Sequence, residues 1–166
     1  MSRWQILTLA ATMALATVPA RAETNVDPTG VWLTEAGDAK ILVSKCGPGI
    51  CGTVIWLKVP IDPTTGKPQA DDKNKDPALA RRPIVGINIF KGMKSVTERK
   101  WSGRIYNADN GKTYASDVTL AGPRKLEVRG CVMAILCGGE TWTRTSAAPG
   151  GLEADDATIC ARSQSS

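Results

Sequence analysis

From Thr29 to Thr145, apolar and β-branched residues alternate with polar ones in short runs, and Gly, Pro, Asn and Asp interrupt the runs before a helical period develops. Such a chain folds as strands. Eight are expected: Thr29 to Thr34, Ala39 to Lys45, Gly52 to Lys58, Ile84 to Phe90, Arg99 to Asn107, Lys112 to Leu120, Lys125 to Cys131 and Gly139 to Thr145. Ala108-Asp109-Asn110-Gly111 contains the Asn-Gly pair that accepts positive φ, so the fifth and sixth strands form a hairpin, and Gly122-Pro123 marks the next reversal. Short connections make the sheet an antiparallel up-and-down meander. The exception is the long connection between the third and fourth strands, from Val59 to Pro83. Closing eight such strands into a single barrel removes the exposed edges that an open sheet must protect.

Alternation also assigns faces. Trp101, Gly103 and Ile105 share one side of the fifth strand, with Lys100, Ser102, Arg104 and Tyr106 on the other; in the seventh, Leu126, Val128 and Gly130 oppose Glu127 and Arg129. The first set, with Ile41, Val43, Ile55, Val85, Ile87, Ile89 and Trp142, makes one inward-facing core. A barrel of this size has an interior that side chains can just fill, or that holds one small ligand. The residues expected to line such a ligand are Trp32, Val43, Ile55, Ile87, Ile89, Trp101, Ile105, Val128 and Trp142.

Five cysteines with spacings Cys46-Gly-Pro-Gly-Ile-Cys51 and Cys131-Val-Met-Ala-Ile-Leu-Cys137 suggest two local disulfides, leaving Cys160 over. A zinc site is the weaker reading: neither pair has two-residue spacing and the chain has no His, so no metal or cofactor is expected. In a meander the second-to-third and seventh-to-eighth turns lie at opposite barrel ends, which favours Cys46 with Cys51 and Cys131 with Cys137. The same count brings the start of the first strand and the end of the last together. Arg144 then stacks on Trp32 as a plug, a contact worth about 1–2 kcal/mol when desolvated.

Arg3, the uncharged run from Trp4 to Val18 and the small-residue site Ala20-Arg21-Ala22 read as a secretory signal peptide over residues 1–22. No stable membrane anchor is expected, since no later stretch approaches about 18 consecutive apolar residues. Cleavage after Ala22 leaves 144 residues, 19 basic and 16 acidic, with net charge +3. The barrel domain is assigned to residues 23–144 and a disordered tail to 145–166, in a periplasmic or secreted protein. This mild basicity lacks the clustered charge and stacking aromatics of nucleic-acid binders, so nucleic acid is not an expected partner.

Catalytic candidates are few. The absence of His removes the usual general base of serine and cysteine hydrolases. Asp62, Asp71, Asp72 and Asp76 all lie in the long connection, where interleaved lysines favour a solvated, Pro-braced loop; the sharper alternative is a lid over the barrel mouth. Asp72, Asn74 and Asp76 begin like a calcium loop, but Pro77 stands where that loop needs Gly. Asp117 reads as a solvated surface group. Lys91, Lys94, Arg99, Lys100 and Arg104 form a basic cluster that suits either an anion or a plain solvent face.

Gly30-Val31-Trp32 with the late Arg144 resembles the signature of lipocalin and calycin barrels. The longer set Cys46 to Cys51, Val54-Ile55-Trp56-Leu57, Asp76-Pro77, Arg82-Pro83-Ile84-Val85-Gly86, Trp101 to Tyr106, Gly111 to Tyr114, Val128 to Cys131 and Trp142 to Arg144 is similar to the bacterial family called domain of unknown function 2147. The resemblance covers Gly30 to Arg144 and implies an exported lipocalin-like barrel, without implying an activity or functional residues. The function expected is non-catalytic binding of a small apolar or amphipathic ligand. The alternative is an interaction module, an inhibitor or accessory partner of an envelope protein, with a filled core and the apolar Val132 to Leu136 tip as a contact surface.

Overall fold

In a computed structural model, the described residues are 27–132 and 136–145. The expected signal peptide, the tail with Cys160 and the centre of the Val132 to Leu136 tip lie outside them. Eight strands form the fold: β1 Gly30–Leu33, β2 Ala39–Cys46, β3 Gly49–Leu57, β4 Asn88–Thr97, β5 Lys100–Asn107, β6 Lys112–Gly122, β7 Lys125–Val132 and β8 Leu136–Thr145. Each pairs antiparallel with the next and β8 returns to β1, closing the barrel in chain order. The all-β up-and-down barrel read from the alternation is therefore the observed fold.

Inside lie Trp32, Ile41, Val43, Ile50, Val54, Phe90, Met93, Trp101, Val118, Leu120, Leu126, Val128 and Trp142, a continuous buried cluster drawn from all eight strands. The Phe90 ring crosses Gly52, where a Cβ would stand 2.3 Å from the ring edge, so glycine is what lets the ring reach the centre. Phe90 in turn stacks on Trp142, with centroids 6.5 Å apart.

The inward set needs correction on β3 and β4, because bulges reset the alternation there. Lys40 pairs with Trp56 but Ile41 with Val54, so Ile55 is an extra residue. Val54 joins the core, and Ile55, expected inward, is half-buried outside the core cluster. On β4, Ile50 opposes Met93 while Gly52 opposes Phe90, and Gly92 takes φ +63° in the extra position. Phe90 and Met93 are consequently both buried at a spacing of three, while Ile89 packs against the core only partly buried. β4 starts at Asn88 rather than Ile84, and Val85, expected inward, is 43% exposed on the preceding segment. β3 starts at Gly49 and β8 at Leu136, both earlier than expected.

The two disulfides are Cys46–Cys51 and Cys131–Cys137. Cys131 and Cys137 are directly opposed across the β7–β8 ladder. Cys51 is buried, and its Sγ accepts a hydrogen bond from the Gly92 N–H at 3.3 Å.

Candidate functional site

The barrel's two ends are built differently. At the end holding the start of β1, the Trp32 indole donates to the Pro28 carbonyl at 2.9 Å, and the Arg144 guanidinium lies 4.2 Å from the Trp32 ring centroid. Arg144 Nε donates to the Pro123 carbonyl at 2.8 Å, Nη2 to that of Asp27 at 2.8 Å, and Nη1 to that of Thr29. One planar fork thus ties the chain entering β1 to the β6–β7 turn, a task for arginine rather than lysine. Gly30 sits beneath it at φ +126°, and a Cβ there would meet Nη1 at 2.6 Å. Gly30, Trp32 and Arg144 therefore form one interlocked plug. Val43 and Trp101 are buried in the core cluster, Trp101 in the second residue of β5 at this same end.

The opposite end holds the β1–β2 turn, the end of β3, the β5–β6 turn and the β7–β8 tip. Ala39, Leu57, Ile84 and Ile105 are partly buried against the core there. Trp142, Val128 and Ile87 are buried. The β7–β8 ladder brings Gly130 opposite Gly138, so this stretch of wall has no side chains, and a Cβ at Gly138 would meet nothing within 4 Å. Glu140 shares the inward face of β8 with Trp142, and its Oε1 accepts the Trp142 indole N–H at 2.6 Å. An apolar floor with a carboxylate at its edge results.

The long connection is largely exposed, as expected of a solvated loop, but one of its acids is not. Asp71 is 0% exposed. Its carboxylate accepts from Tyr106 Oη at 2.5 Å, Asn74 Nδ2 at 2.8 Å, and Arg82 Nε at 3.0 Å, with Arg82 Nη2 at 2.9 Å. Burial, and then the Asp71 carboxylate beside it, push the Tyr106 phenol up to about 12. Because Tyr106 points outward from β5, this network fastens the loop to the barrel's outer wall. The loop also runs over the β5–β6 turn, where a Cβ on Gly111 would stand 1.8 Å from the Lys73 carbonyl oxygen. Asp76 is a turn residue, accepting from the Ala78 N–H at 2.9 Å, and Asp62 likewise accepts from the Thr64 N–H at 2.7 Å. The structure brings none of these acids to Asp71 as a carboxylate pair.

Sequence reasoning missed the Asp71 cluster. The available signal was Tyr106: an aromatic residue among Lys100, Ser102 and Arg104 on the solvent face needs a cover, and the long connection is adjacent. The expected basic cluster is partly neutralised, since Lys100 pairs with Asp117 at 2.8 Å and Arg99 Nε donates to the Leu120 carbonyl at 2.9 Å. Asp117 is thus half-buried and paired rather than simply solvated; the hydrogen bond from Lys100, then that from Ser102, lowers its pKa.

No curated protein matches the chain. Among solved structures, a Helicobacter pylori protein described as belonging to the lipocalin family, HP1028, is similar at 22% identity with a TM-score of 0.60, over 74% of this chain and 86% of that one. This likeness establishes the fold alone. A family model described as an uncharacterized protein conserved in bacteria matches residues 30–144, from the plug glycine to the plug arginine. The chain belongs to this bacterial family, DUF2147, and carries its barrel in lipocalin-like form.

Proposed function

We propose that the chain is an exported, non-catalytic carrier that takes a small apolar or amphipathic molecule at the open end of its barrel. The observation that carries this reading is the contrast between the ends. One is sealed by Trp32 and Arg144; the other presents half-buried Leu57, Ile84 and Ile105 above the Phe90–Trp142 pair, with Glu140 beside the indole. Ligand sites of this kind combine an apolar lining with a few placed polar groups. Of the residues expected to line a ligand, Ile87, Ile89, Ile105, Val128 and Trp142 belong to the mouth in this reading, whereas Trp32, Val43 and Trp101 serve packing. Ile55, displaced by the bulge, falls at the rim.

The lipocalin-like barrel and the two disulfides in a bacterial family support binding in an oxidising compartment outside the cytoplasm. The test is to purify the mature protein gently from its own envelope and compare native with denatured mass. A releasable small molecule, lost from a Trp142→Ala variant that keeps both disulfides, is the expected result. A native mass equal to the bare chain, with no quenching of Trp142 emission by a panel of fatty acids, amines and sterols, refutes the carrier.

A further inference from the structure

The barrel closes incompletely along β8. β8 has ten residues but β1 only four, and they pair at Val31–Thr145, Trp32–Arg144 and Leu33–Thr143 alone. Beyond Leu33 the chain leaves the sheet in a well-made turn: Thr34 Oγ1 accepts from the Ala39 N–H at 3.1 Å and donates to Asp38 Oδ1 at 2.6 Å, with Gly37 at φ +68°. Among the described residues, then, β8 from Leu136 to Trp142 is paired on its β7 side only.

The open side is furnished for backbone hydrogen bonding. The Thr141 N–H points into it and donates to Glu35 Oε2 at 2.8 Å, which shows both the direction of the edge donors and that an acceptor is held there. In an antiparallel strand, donors of alternate residues face the same way, so the Gly139 and Cys137 N–H groups share that side. Beside them runs an open groove of about 400 Å³, lined by Glu35 and residues 127–129 and 137–141. Gly138 and Gly139 leave the backbone uncovered at its centre. Such an edge is a template for an added strand.

Charge selects the occupant. Glu35 and Glu127 face Arg129 alone on the outer side, and Arg129 already lies opposite Asp117 in the β6–β7 register. The groove is net acidic. The chain's own residues 146–166 carry three acids against one arginine, the same sign as the groove, and two copies paired edge to edge would set acidic groove on acidic groove. We infer that the β8 edge accepts an extended, lysine- or arginine-bearing segment of another protein as a ninth strand, on the outer side of the wall whose inner side borders the mouth at Val128 and Glu140.

The test titrates the uniformly ¹⁵N-labelled mature chain, disulfides intact, with a blocked seven-residue peptide alternating lysine and valine. Expected are amide shifts confined to Cys137, Gly138, Gly139 and the Glu35 turn. Affinity should fall at least tenfold when glutamate replaces lysine in the peptide, when alternate peptide amides are N-methylated, or in Glu127→Lys, an exposed substitution; Arg129→Gln should tighten binding. The inference is overturned by absent shifts, by shifts centred on the mouth, or by indifference to N-methylation. It is equally overturned if truncation after Thr145 shifts the same amides without peptide, or if sedimentation shows a dimer that Glu127→Lys alters, since the edge then belongs to the tail or to a second copy.

Discussion

Replacing Asp71 by Ala removes the acceptor for four donors from three side chains while leaving Tyr106, Asn74 and Arg82 in place. Breaking a buried ion pair on one side costs about 3–5 kcal/mol, because the remaining charge stays desolvated. Arg82 has a side chain 36% exposed and recovers part of its hydration, which moves the expected loss to about 3 kcal/mol. That energy belongs to the loop rather than the barrel. Every strand ladder in the barrel forms without residues 58–87, so the variant should open the loop locally while the barrel stays folded.

Hydrogen exchange separates these outcomes. The amides of Asp71, Asn74 and Ile84, bonded to Arg82, Asp71 and Gln69 carbonyls, should lose about a hundredfold in protection, since each 1.4 kcal/mol is a factor of ten. Those of Val118 and Val128 in the β6–β7 ladder should hold theirs. A cycle of Asp71→Asn with Tyr106→Phe should show a coupling of about 1–3 kcal/mol. Unchanged loop protection would refute the anchor; equal loss in loop and ladder would refute its locality, making Asp71 part of one cooperative core.

Tyr106 gives a pH signature. Its pKa is raised in the fold to about 12, above the ordinary 10.0, so the protonated phenol contributes stability that is complete below pH 10 and lost as pH climbs toward 12. Phenolate absorbance at 295 nm should therefore show a late step that Tyr106→Phe abolishes, and loop amides should lose protection over the same window. At the plug, Arg144→Lys keeps the charge but loses the fork and should cost about 1–3 kcal/mol in urea unfolding, with a changed Trp32 emission. Gly30→Ala should cost about as much, since it adds strain at φ +126° and a clash with Nη1. Replacing either disulfide pair by Ala opens a loop of only five or six residues and should cost about 2 kcal/mol, measurable as a lower urea midpoint without loss of the barrel's circular dichroism.

The strands, closure, disulfides and plug were legible because each rests on a local rule: alternation of period two, turn residues that accept positive φ, short cysteine spacings, and the parity of a meander's ends. What failed was what a bulge alters. Alternation carries face information only while the ladder keeps register, and one inserted residue at Ile55, Ile89 or Gly92 reverses the assignments beyond it. Val54 and Phe90 were hidden for that reason, and Met93 because the expected strand stopped at Phe90 whereas β4 runs on to Thr97. Asp71 was hidden for another. A carboxylate in a Lys-, Asp- and Pro-rich segment looks solvated until its partners are known, and two of them, Tyr106 and Arg82, are 35 and 11 residues away in sequence.

The unequal strand lengths tie these features to function. β1 spans four residues and can hold β8 at one end alone, so Arg144 must fasten there what the short ladder cannot: its three carbonyl partners bind β1's entry and the β6–β7 turn into one rim. With that rim fixed, the other end is free to be uneven, a tall β5–β8 wall braced by Cys131–Cys137 beside a low β1–β2 turn. The mouth and the bare β8 edge both arise from this difference in height. Continuing the β1 ladder by four residues, from Thr34 opposite Trp142 to a fourth opposite Gly139, should seal the edge and abolish strand addition, while a ligand seated on Ile105, Trp142 and Phe90 keeps its affinity. If both bindings vanish together, mouth and edge are one site; if only the peptide is lost, the barrel carries two independent surfaces.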